Sequence, residues 1–334
     1  MNHSSRRQFV AGMGALATLP TLLAACGGDD ESASAAGATT EQSGPWSFTD
    51  DRGDKASVDK TPERIVMHEY AAIGLWDYGI RPVGIFGSID MAKQPLFEGL
   101  DTKGIQQIGK AWGEINLESM AALRPDLVVS TWWPGDKLFG GIKDAKVEAK
   151  IRAIAPLVGI HAQVPASTTI DHFEKLAVSL GANADDPKIA AERDRYERAV
   201  QAFKAAVGEK KGLKAMAVYV DPEMLYLGKV PDYSDLREYQ SWGLEFITGE
   251  SKDPYWQQVS WENADRFEPD LILLDARAGS PTAEDLAKLP VWRDYAAVKA
   301  GQITRWHMEE DVSYRVFADH VEELTAAVTE AKVL

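Results

Sequence analysis

Short apolar runs alternate with stretches of helical spacing along most of this chain. The run in "ERIVMHEY" is followed by "AAIGLWDYG", which has helical spacing and stops at Gly79, and then by a second apolar run in "RPVGIFGS". That is strand, helix and strand within about 25 residues. "NLESMAALRPDLVVST" continues as a helix, a Pro-Asp break and a strand. Further on, "LKAMAVYVD" reads as a strand, "WENADRFEPDLILLDA" as a second helix-to-strand unit and "GQITRWH" as another strand. Strands alternating with short helices predict mostly parallel sheets, and therefore an α/β fold.

One helix stands apart by its length. In "DDPKIAAERDRYERAVQAFKAAVG", Ile189, Tyr196, Val200, Phe203 and Val207 share a face, Pro187 suits a first helical turn and Gly208 a terminus. A helix over 187–208 is a rod of about 30 Å. The globular body, about 290 residues, exceeds the usual size of a single core. The expected organisation is an N-terminal lobe over 46–186, the bridging helix, and a C-terminal lobe over 209–334. An echo supports the division: Glu118 precedes Pro125-Asp126-Leu127 by the same spacing at which Glu262 precedes Pro269-Asp270-Leu271.

The first residues are patterned differently. "MNHSSRRQFVAGMGALATLPTLLAAC" has a charged start with Arg6 and Arg7 and then a mildly apolar run. That run is shorter than the roughly 20 apolar residues of a membrane-spanning helix. Residues 1–25 read as an export signal of twin-arginine type. "LAAC" resembles the lipobox of bacterial lipoproteins, which implies that Cys26 is lipidated. Cys26 is the sole cysteine, so internal disulfides and cysteine-held zinc or iron–sulfur centres are excluded. Residues 26–45 are small and polar, unable to bury enough surface to offset their ordering entropy. They read as a flexible tether with a reach on the order of 25 Å.

Composition narrows the function classes. A formal net charge of −15 disfavours nucleic acid or an anionic surface as the main partner. No phosphate-binding Gly-rich loop, H-E-x-x-H or G-x-S-x-G occurs.

On the paired E-x6-PDL phrases, the strand–helix alternation and the long central helix, the chain resembles the class III solute-binding proteins of iron-siderophore and cobalamin ABC importers. The resemblance implies two Rossmann-like lobes bridged by one helix, a ligand in the cleft between them, and no catalysis. It implies that Glu118 and Glu262 dock on arginines of a dimeric ABC permease, whose ATPase drives release. It also implies a monomeric carrier that holds a ferric siderophore at the extracytoplasmic face of the cell membrane, anchored through the Cys26 lipid, with no cofactor of its own.

Open α/β sheets bind ligands just past the C-terminal ends of their strands. That nominates His68, Tyr70, Ser88, Trp132 and Trp133 on the first lobe, and Asp221, Arg277, Trp306 and His307 on the second. Trp112 leads into the first docking phrase, Arg315 lies near the start of the last helical stretch, and Trp256 stands where a family tryptophan faces the ligand. Tryptophan, of which the chain has ten, suits stacking on a bulky, partly polar ligand. Trp76 and Trp292 read as core. Arg277 is the best-placed partner for an anionic oxygen. The first lobe's loops offer no arginine, which points away from a highly anionic catecholate chelate and toward a hydroxamate-like or mixed one. The alternatives are cobalamin, haem on Tyr70 or His68, a bare metal on His68 and His307, a surface sensor, or an exported cofactor enzyme.

Overall fold

The structure, a computed structural model, describes residues 44–277 and 279–334. The proposed export signal, Cys26 and all but the last residues of the tether lie outside the described residues. Among the described residues no helix is long and apolar enough to cross a membrane.

A hairpin of β1 (Trp46–Thr49) and β2 (Lys55–Val58) opens the fold, and the Trp46 Nε1–H donates to the Ser179 carbonyl at 2.9 Å. The first sheet contains β3 (Ile65–His68), β4 (Gly84–Phe86), β5 (Gln106–Gln107), β6 (Leu127–Trp133), β7 (Leu138–Phe139) and β8 (Leu157–His161). Its helices are α1 (Glu69–Trp76), α2 (Leu117–Ala122), α3 (Ala145–Arg152) and α4 (Ala166–Ser179). Strands β5, β4, β3, β6 and β8 run parallel in that order, while β7 folds back antiparallel on the end of β6. Both faces are covered, one by a core containing Trp76 and Phe173, the other by one containing Phe86 and Met120. Strands buried on both faces explain why the sequence shows continuous apolar runs and not alternation.

Next comes α5 (Pro187–Glu209), whose N-terminus is capped by the Asp186 carboxylate accepting from the Lys188 N–H. The second sheet contains β9 (Lys214–Val220), β10 (Met224–Gly228), β11 (Glu245–Ile247), β12 (Trp256–Ser260), β13 (Leu271–Asp275) and β14 (Ile303–Trp306). Helices α6 (Ser234–Ser241), α7 (Ala283–Leu286), α8 (Pro290–Asp294), α9 (Ala296–Lys299) and α10 (Tyr314–Glu330) surround it. β11, β9, β13 and β14 are parallel. β10 and β12 add an antiparallel edge that the alternation of strands and helices had not indicated.

The Pro-Asp-Leu phrases do the same work in both sheets. The Asp126 carboxylate accepts from the Arg64 N–H at 3.0 Å, and Asp270 from the Lys214 N–H at 2.7 Å. In each case the aspartate ties the start of its own strand to the start of the strand beside it, and the following leucine enters the pairing.

Helix α5 touches the first lobe through Arg193, which is paired with Glu174 of α4, and the second through Phe203, packed on Tyr239 and Trp242. α10 adds a second tie. Val312 and Val316 sit in a first-lobe core, whereas Phe317, Val321 and Leu324 belong to a second-lobe core. Tyr196 of α5 stacks on Phe317 of α10 with ring centroids 5.5 Å apart.

Candidate functional site

A cavity of about 200 Å³ lies where the C-terminal ends of the two sheets face each other. The first lobe contributes His68 at the end of β3, Tyr70, Ser88, Trp112, Trp133 at the end of β6, and the turn and strand around Asp136, Leu138, Phe139, Gly140 and Gly141. The second contributes Tyr233, Tyr255, Trp256 at the start of β12, Arg277 after β13, and Met308 and Glu309 after β14. Seven of these side chains are Phe, Tyr or Trp. The cavity is smaller than the roughly 300–1,000 Å³ usual for small-molecule sites. A bulky guest therefore requires the lobes or the lining rings to move apart.

Local chemistry fixes the walls. His68 is 2% exposed, its Nδ1 has no partner among the described residues, and burial pushes its pKa down to about 3. A methyl at Gly140 would collide with Thr131 Oγ1 and crowd the His68 ring, so glycine lets the chain lie against that histidine. Burial, reinforced by Glu309, holds the Tyr70 phenol well above its ordinary value. Trp133 meets Tyr255 edge-on across the cleft at 5.9 Å between centroids. Tyr255 adopts φ 66° and Glu309 φ 70°. Such left-handed backbone is uncommon outside glycine and clusters at sites that over-determine it. Burial, reinforced by the Asp136 carboxylate near its hydroxyl, holds the Tyr255 phenol above its ordinary value.

Arg277 is already engaged. Its Nη2 lies 2.9 Å from an Asp275 oxygen and its Nη1 3.7 Å from a Glu309 oxygen. Burial opposes its charge, but Glu309 and Asp275 outweigh that and raise its pKa. Glu309 keeps a quarter of its side chain open, yet its dense surroundings push its carboxyl up to about 7 against the pull of Arg277.

Several nominated residues lie elsewhere. Trp306 is 1% exposed and its Nε1–H donates to the Asp235 carboxylate at 2.6 Å. It backs Tyr233 and Trp256, at 4.8 and 5.7 Å between centroids, and does not line the cavity. Trp132 follows strand alternation onto the opposite face from Trp133, against Phe139 and beneath the Arg52 guanidinium. Arg315 pairs with Asp77, Nε to Oδ1 at 3.0 Å, fastening α10 to the end of α1. Asp221 accepts from the N–H groups of Glu223 and Met224 in the β9–β10 turn. His307 sits between Glu310 and Glu323, at 3.3 and 3.0 Å, and stacks on His320 at 4.0 Å between centroids with the rings 4° from parallel.

His307, Glu310 and His320 form the one close His/Cys/Asp/Glu group among the described residues, and it excludes His68. Both nitrogens of His307 face carboxylates, and in-plane lone pairs of parallel rings do not converge on one ion. The pairing of His68 with His307 as metal ligands is therefore not present. Trp76 and Trp292 are buried in cores. Glu118 is exposed in the first turn of α2, which the Asn116 side chain caps. Glu262 is exposed in the first turn of a 3₁₀ helix, Trp261–Arg266, where an α-helix was expected.

Tyr233, Tyr255, Met308, Glu309 and the segment 136–141 were not nominated. The available signals were Tyr255 beside Trp256, the Gly-Gly pair, and the strand-end position of Glu309.

A cavity built from the facing strand ends of two α/β lobes defines a cleft-binding protein. The chain belongs to the periplasmic binding protein family, whose profile matches residues 101–310, and is a binding protein, not an enzyme. It is similar to the Fe(3+)-citrate-binding protein YfmC of Bacillus subtilis, with 24% identity over 297 residues that span 86% of this chain and 88% of that protein. Among solved structures it is similar to DesE, a ferric-siderophore receptor protein from Streptomyces coelicolor, with a TM-score of 0.80 and 27% identity, covering 86% of this chain and 99% of that one. The petrobactin-binding protein YclQ from Bacillus subtilis shares the fold at a TM-score of 0.65 and 13% identity, over 86% of this chain and 99% of that one.

Proposed function

We propose that this chain is the extracytoplasmic capture component of an ABC iron importer, anchored through a lipid on Cys26, holding a ferric siderophore-type chelate in the inter-lobe cleft. The observation that carries this reading is the cavity itself: aromatic side chains from both lobes line one space at the strand ends. Such rings grip a large, partly apolar ligand by area and leave a few polar groups to orient it. The names of YfmC and DesE, an iron-citrate binder and a ferric-siderophore receptor, support iron chelates as the ligand class.

In this account the rings of the two lobes part to admit the chelate and close on it, while α5 and α10 restrict the motion to a small change of angle. The loaded carrier, a monomer, presents Glu118 and Glu262 to a permease dimer, and ATP hydrolysis by the partner drives release. The test is tryptophan fluorescence of the protein titrated with ferric chelates, their iron-free forms, haem, cobalamin and free metals. Saturable quenching by a ferric chelate, absent with its iron-free form, is expected. Saturation by haem, cobalamin or a bare metal alone would contradict it.

A further inference from the structure

We infer that the cleft selects its ferric complex by charge, accepting one whose surface is uncharged or cationic, with Glu309 as counter-ion to a positive end and anionic complexes refused. The inference rests on the reading that the cleft holds a ferric chelate and adds what kind.

The charges around the cavity carry it. Arg277 is the one lysine or arginine among the lining residues, and it is claimed from two sides by Asp275 at 2.9 Å and Glu309 at 3.7 Å. Asp136 adds an exposed carboxylate on the opposite wall. His68, the lining histidine, is kept neutral by burial, its pKa pushed down to about 3. The ionised wall is thus at most neutral, and it becomes net negative whenever Glu309 is ionised. An incoming anion would meet an Arg277 whose charge is already balanced by Asp275 at 2.9 Å and Glu309 at 3.7 Å. A cation can reach Glu309, a quarter of whose side chain is open, and share it with Arg277, which keeps its bonds to Asp275.

The aromatic lining points the same way. The face of a Trp or Tyr ring carries negative potential and attracts a cation while repelling an anion. Trp133, Tyr233, Tyr255 and Trp256 stand around the same space as Glu309. Glu309 holds its place on left-handed backbone at φ 70°, as Tyr255 of the same lining does at φ 66°.

An alternative role for Glu309 is to steady Arg277 for an anionic ligand, and a ligand series separates the two. The full chain is titrated by tryptophan fluorescence with three ferric trishydroxamates identical around the metal but ending in an ammonium, an acetamide or a succinamate, and with ferric citrate. The titration is run at about pH 8, above the value of about 7 to which burial pushes Glu309. The expected order is ammonium, then acetamide, then succinamate, each step about tenfold, with ferric citrate at least as weak as the succinamate. In Glu309→Gln the ammonium complex falls to the affinity of the acetamide, and the succinamate complex gains.

A flat series, or ferric citrate binding most tightly, overturns charge selection while leaving the carrier reading intact. Unchanged ammonium affinity in a folded Glu309→Gln, confirmed by its melting curve, overturns the counter-ion role. If no ferric complex quenches at all, the carrier reading itself fails and takes the inference with it. The series on the unaltered chain needs no variant, so a poorly folding Glu309→Gln does not block the test.

Discussion

Trp133 of the first lobe and Tyr255 of the second meet edge to face at 5.9 Å across the mouth of the cavity. One ring closes β6 and the other precedes β12, so this contact joins the two sheets through the space a ligand has to enter. Truncating either ring to alanine is expected to weaken chelate binding by about tenfold, on the order of 1–2 kcal/mol. The double variant should lose less than the sum, because the rings touch each other. Fluorescence titration of the two single variants and the double variant measures the coupling; strict additivity would show that they act apart.

Glu118 and Glu262 are both exposed and each lies in the first turn of a short helix preceding a Pro-Asp-Leu phrase. Charge reversal of both to lysine is expected to abolish iron uptake in cells while leaving the binding constant within about twofold, since surface changes of this kind usually alter stability by about 0.5 kcal/mol or less. Transport assays beside equilibrium titration check it. Loss of binding in the double variant would remove the docking role.

The buried Trp306–Asp235 bond separates support from contact. Burial, with Asp311 adding to it, pushes Asp235 up to about 8, so it is largely protonated near neutrality. Asp235→Asn keeps an acceptor for the indole N–H and should change stability little. Asp235→Ala orphans that donor, at a cost of about 1–3 kcal/mol. Trp306→Ala is expected to cost about 3–5 kcal/mol, and also to loosen Tyr233 and Trp256, which it backs. Thermal melts of the three variants should rank in that order.

His307 makes stability depend on pH. Burial works against its charge, but Glu310 and Glu323 outweigh burial and raise its pKa to about 9. Its folded value lies above its ordinary one of about 6.5. Its contribution is therefore fully present below about pH 6.5 and lost as pH rises through about 9. His307→Gln should destabilise by about 2–3 kcal/mol near pH 6 and by much less near pH 10. His320, whose pKa is lowered to about 3 by burial and by the neighbouring His307 charge, is neutral in the folded protein over this pH range. A difference in melting temperature that does not vary between those pH values would contradict the assignment.

The alternation of apolar runs made the parallel strands legible, because strands covered on both faces have no polar side to break the run. The repeated phrase was legible for a concrete reason: Asp126 and Asp270 bond the neighbouring strand starts in both sheets. Double coverage also hid the site. In "STWW" both faces of β6 are partly covered, so sequence could not tell that Trp133 turns to the cleft and Trp132 to Phe139. Trp306 ends a strand as expected, but on the face where Asp235 and Tyr233 enclose it. The antiparallel β10–β12 edge is built from short mixed runs that lack a periodic signature. The 3₁₀ helix after Ser260 replaces an α-helix where no side-chain cap is made, in contrast to Asn116 at α2. Glu309 sits in "HMEED", an acidic string that reads as solvated surface until the fold sets it opposite Arg277.

The most direct test of the central claim is an iron anomalous difference map from crystals grown with the tightest-binding ferric chelate. A single iron peak inside the cleft is expected, with the chelate against Trp133, Tyr255 and Trp256. An empty cleft, or iron bound instead at His307, Glu310 and His320, would contradict it.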